Sequence, residues 1–67
     1  MFIELTVKIN NLKTLININS ISSICETKDP NQCMVSFAGD DNYFNASHTY
    51  EEVKNRVFKA LDKLNDP

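Results

Sequence analysis

The chain has 67 residues, a formal net charge of −2 and a pI near 5.1, with 42% apolar and 24% charged residues. That is one domain spanning 1–67, small enough to bury only about 60% of its unfolded surface, so help from a disulfide, a metal or a second subunit is expected, a homo-oligomer first among them. The scattered basic residues exclude the stripe of a nucleic-acid binder, no apolar run is long enough to span a bilayer, and the opening MFIELTVK, with Glu4 in it, is no signal-peptide core; the expectation is a cytoplasmic protein with neither a nucleic-acid nor a membrane partner.

Residues Phe2 to Ile9 alternate strictly, with Ile3, Leu5, Val7 and Ile9 on one side and Phe2, Glu4, Thr6 and Lys8 on the other. This is the pattern of a half-buried strand. Asn10-Asn11 follows, and Asn tolerates the positive φ of a two-residue type I′ turn. That turn pairs Ile9 with Leu12, Val7 with Thr14, Leu5 with Ile16 and Ile3 with Ile18, placing the apolar partners on one face. The other face carries Phe2 and Leu15, which have nothing in a two-layer domain to pack against and are candidates for a subunit or partner contact.

Asn17-Ile18-Asn19-Ser20 reads as a bend, Ile21 to Thr27 as a third strand, Lys28-Asp29-Pro30-Asn31 as a turn and Gln32 to Ala38 as a fourth strand with Val35 and Phe37 on one face and Met34 and Ser36 on the other. With Asp40-Asp41 at the next tip, Phe37 pairs with Phe44 and Val35 with Ala46, giving a fifth strand from Tyr43 to Ser47.

His48 to Leu64 is the segment with a strong helical period. Thr49 and Glu52 form a capping box, Glu51 and Glu52 sit in the first turn, and Lys59 and Lys63 lie near the end as the helix dipole prefers. Tyr50, Val53, Val57, Ala60, Leu61 and Leu64 share one face, while Glu51, Lys54, Asn55, Phe58 and Asp62 form the outer stripe, where Phe58 is out of place for solvent. Glu52 and Arg56, four apart, are spaced as a helix-surface pair. The expected fold is α+β: an antiparallel meander of four or five strands with one C-terminal amphipathic helix packed on one face.

The residues that carry chemistry are few. Cys25 and Cys33 flank the turn at Asp29, and one register sets them directly across from each other; a register shifted by one separates them, leaving two free, partly buried thiols. Their spacing lacks the close ligand pairs of a structural zinc site, and no cofactor is expected. His48, the single histidine, precedes the helix cap and is read as a staple packing against Val53. Asp40, Asp41 and Asn42 lack the further ligands of a calcium loop, Asn45-Ala46-Ser47 reads as a coincidental sequon, and one glycine, Gly39, cannot make a phosphate-cradling loop.

Ile3 to Thr6 (IELT), Leu15 to Ile24 (LININSISSI) and Tyr50 to Val53 (YEEV) give an order of motifs that resembles the small flagellar FlbD/SwrD family and many short proteins of phages and mobile elements. The chain has Asn10-Asn11 where the flagellar pattern has Asn-Gly, Val7-Lys8 where it has Arg-Leu, and a longer helix. The resemblance implies a small cytosolic protein that is not an enzyme and works by contact. The expected function is a self-associating interaction protein, an inhibitor or adaptor binding a host protein, with Phe2, Leu15, Met34, Tyr43, His48 and Phe58 as candidate surface. The alternatives are a small-ligand binder with an intersubunit pocket near Tyr43, Phe44 and His48, and a motility accessory.

Overall fold

The computed structural model describes residues 1–39 and 41–65, the side chains from 63 onward excepted. The elements are β1 (Phe2–Thr6), β2 (Lys13–Asn17), a 3-10 turn (Ile18–Ser20), β3 (Ile21–Glu26), β4 (Cys33–Phe37), β5 (Tyr43–Ala46) and α1 (Tyr50–Asn65). The class is α+β with antiparallel pairing and one C-terminal helix. The single meander is not formed: β1 and β2 make one ladder, and β3, β4 and β5 another.

The meander breaks between β2 and β3. The Asn17 side chain accepts from the Asn19 amide at 3.0 Å, an Asx-type turn that folds Ile18–Ser20 into a 3-10 turn and carries the chain away before β3 begins. The two ladders meet instead through β1. Val7 bridges Ala46, the Lys8 N–H donates to the Asn45 carbonyl at 2.8 Å, and the Ser47 N–H donates to the Thr6 carbonyl at 2.9 Å. The order across the molecule is therefore β2-β1, a short junction, then β5-β4-β3.

Both tight hairpins sit two residues from the registers expected for two-residue turns. Ile3 opposes Ile16 and Leu5 opposes Thr14, while Val35 opposes Phe44 and Cys33 opposes Ala46. The cause lies at the tips. At the first, the Val7 N–H donates to the Leu12 carbonyl at 3.0 Å and the Asn11 N–H to the Val7 carbonyl at 2.8 Å, so Lys8 to Asn11 form a four-residue loop. Only Asn11 is left-handed there (φ 58°), whereas a type I′ turn demands positive φ at both central residues. At the second tip Gly39 takes the left-handed conformation (φ 75°) and Phe37 donates to the Asn42 carbonyl at 3.3 Å; Asp40, expected at that tip, lies outside the described residues. A shift of two keeps side chains on the same face, so the core survives the change. Its cost falls on Ile9, which leaves the ladder for the loop and is 92% exposed.

The core comprises Ile3, Leu5, Ile16, Ile18, Cys33, Val35, Ala46, Val53 and Ala60, with Met1, Ile21, Ile24, Phe37, Phe44, Tyr50 and Val57 packed around it. The Phe37 and Phe44 rings stack with centroids 5.7 Å apart. α1 touches both ladders, at β1 and at β3. Leu61, expected on the buried face, is instead 40% exposed, and the side chains of Lys63 and Leu64 lie outside the description.

The capping box forms as its sequence dictates. The Thr49 N–H donates to Glu52 Oε1 at 3.1 Å, and the Glu52 N–H to Thr49 Oγ1 at 3.1 Å. The Thr49 amide, aided by its hydroxyl, holds the Glu52 carboxyl below the usual glutamate range. A depressed carboxyl contributes stability that is present above the unfolded-state value and is lost as pH falls through the folded one. Glu52→Gln keeps an acceptor but cannot titrate, so in urea titrations from about pH 5 to about pH 3 its stability will fall less steeply than the wild type's.

Candidate functional site

The six residues expected on an interaction surface do not form one patch. Phe2 and Leu15 come together: Phe2 opposes Asn17 and Leu15 opposes Glu4, so the two are diagonal neighbours on the face of the β1-β2 ladder away from the core. They are 59% and 66% exposed. Glu4 and Lys13 lie on the same face, one residue pair apart, so the patch carries both signs of charge.

Met34 lies half-buried on the outer face of the other ladder, opposite Cys25 and Asn45. Tyr43, 62% exposed, borders a shallow cleft of about 480 Å³ with Lys8, Ile9, Phe44 and Asn45. His48 is not part of that cleft. Phe58 lies on the outer stripe of α1, 53% exposed.

His48 is an internal brace. Its Nε2 accepts the Thr6 N–H at 3.0 Å, which fixes that nitrogen as the unprotonated one and leaves Nδ1 facing Glu52 Oε2 at 3.8 Å. The side chain is only 12% exposed. The imidazole ties the end of β1 to the start of α1, a role beyond the local staple the sequence implies, and it hydrogen bonds to neither thiol. Removing the acceptor leaves a part-buried amide unpaired, so His48→Ala will cost about 1–2 kcal/mol in a urea titration, without loss of the fold.

The cysteines occupy the register shifted by one: Cys25 opposes Met34 and Glu26 opposes Cys33. Their side chains thus lie on opposite faces of the ladder and both thiols are free. Cys33 is fully buried, more than the partial burial its sequence position suggests, and burial pushes its thiol above the ordinary value. Cys25 is exposed. A disulfide reagent added to the native protein will therefore consume one thiol rapidly and the second only in denaturant.

Arg56 departs from the expected helix-surface pairing with Glu52. It reaches across to β1, where Nη1 donates to the Glu4 carbonyl at 2.6 Å. Beside it, Met1, Phe2, Ile3, Glu4, Lys59 and Ala60 complete the lining of a cleft of about 590 Å³ between β1 and α1. Sequence reading misses this cleft, because it depends on which strand edge the helix crosses. Among the described residues no group of three His, Cys, Asp or Glu side chains is arranged to hold a metal, and no helix is long and apolar enough to cross a membrane. Compared with known proteins, the chain matches no family model, no curated protein and no solved structure.

Proposed function

We propose that this protein works by contact and not by catalysis: a small self-associating adaptor or inhibitor whose target is another protein. The observation that carries the reading is the exposed pair Phe2 and Leu15 on the uncovered face of the β1-β2 ladder. The helix occupies the other face, so these side chains have no partner within the described fold. Contiguous apolar surface left exposed on a small domain favours association over continued contact with water.

A two-fold interface fits this face in particular. Under a two-fold axis each residue meets its counterpart's neighbours, so a patch carrying Glu4 and Lys13 beside Phe2 and Leu15 can set unlike charges against each other around an apolar centre. The reading also supplies the additional burial that a domain of this size needs. It is tested by sedimentation of the wild type and of Phe2→Glu with Leu15→Glu. The wild type will sediment as a concentration-dependent dimer and the double variant as a monomer with the same circular dichroism. A strictly monomeric wild type across the accessible concentrations overturns self-association.

A further inference from the structure

In an antiparallel ladder, alternate residues aim their backbone groups at opposite edges of the strand. The Val7 N–H bonds the Leu12 carbonyl and the Ile18 N–H bonds the Met1 carbonyl, so the odd-numbered residues of β1 face β2. The even-numbered Phe2, Glu4 and Thr6 face the other way, toward β5 and α1. Thr6 is fully engaged, its N–H with His48 and its carbonyl with Ser47. The Glu4 carbonyl is taken by Arg56. The Phe2 N–H, the Phe2 carbonyl and the Glu4 N–H are left facing the 590 Å³ cleft.

We propose that this cleft is a docking groove for an extended peptide segment carrying carboxylates, which adds as a strand beside Phe2–Glu4. The inference rests on the contact reading above and names the chemistry of a partner. Three aligned backbone groups are the signature of an edge that accepts another strand, and main-chain pairing supplies affinity without sequence demands. Apolar Met1, Ile3 and Ala60 receive the inward side chains of such a segment. Charge sets its composition: in a chain of net charge −2, two of the seven basic residues, Arg56 and Lys59, stand one helical turn apart along this groove. Arg56 spends one donor on the Glu4 carbonyl and has further guanidinium N–H groups for a carboxylate. The one acid in the lining, Glu4, directs its side chain to the outer face opposite Leu15. The cleft lies in the size range of pockets that bind specific ligands.

The test uses the full chain and a fluorescein-labelled hexapeptide of alternating valine and glutamate, with the valine–lysine counterpart as control. The glutamate peptide will raise anisotropy saturably and shift the Phe2 and Glu4 amide resonances. Lys59→Glu, at an exposed position, will weaken binding roughly tenfold or more, while Lys28→Glu, the same charge change in the exposed turn between β3 and β4, leaves it unchanged. Equal binding of the lysine peptide, no binding at millimolar peptide, or an unaffected Lys59→Glu variant overturns the groove. Concentration-dependent shifts of the Arg56 and Lys59 amides without peptide, which a dimer through the Phe2–Leu15 face does not predict, would assign the groove to a second copy and overturn it equally. If the groove fails while the wild type still sediments as a dimer, the contact reading stands; if peptide binds a strict monomer, self-association alone is lost.

Discussion

The structure depends on the short junction where β1 meets the β5–α1 connection. A two-stranded hairpin is marginal in water, so the β1-β2 ladder relies on being joined to the three-stranded β3-β4-β5 ladder. The junction joins them with two backbone hydrogen bonds and one to an imidazole: Lys8 to Asn45, Ser47 to Thr6, and Thr6 to His48. Because Thr6 contributes both its N–H and its carbonyl, one residue of β1 positions both the end of β5 and the start of the helix. α1 then lies over both ladders, and Val53 and Ala60 close a core shared by Leu5, Ile16, Val35 and Ala46.

Much of this was legible in the residues. The helix, its capping box and most of its buried face follow from period and cap chemistry alone, and the strand faces follow from alternation. Exact pairing was not legible, since Asn10-Asn11 and Asp40-Asp41 suit a two-residue turn as well as a longer loop. Both hairpins took the longer loop, and the resulting two-residue shift preserved parity. Ile9 and Leu12 bear the consequence, exposed at a tip where a tighter turn would have buried Ile9.

The order of strands was less accessible. A meander is the economical reading when each connection is short, and nothing in the apolar pattern of Ile18–Ser20 announces that the chain turns away from β2. The polar side chain of Asn17 decides it locally, by capturing the Asn19 amide. The same non-local logic hid the roles of His48 and Arg56, whose spacings to Val53 and Glu52 suggested local partners. Each reaches β1 instead, across 42 and 52 residues of sequence. Phe2 and Leu15 were legible because alternation alone puts them on the face the helix leaves uncovered. The cleft was not, because it exists only once α1 crosses beside the free edge of β1.

Amide hydrogen exchange read by nuclear magnetic resonance, with cross-strand contacts, tests this topology most directly. The junction predicts slow exchange at Thr6, Lys8 and Ser47 and contacts between Val7 and Ala46. Contacts between β2 and β3, with Thr6 and Ser47 exchanging as freely as the loops, would contradict it.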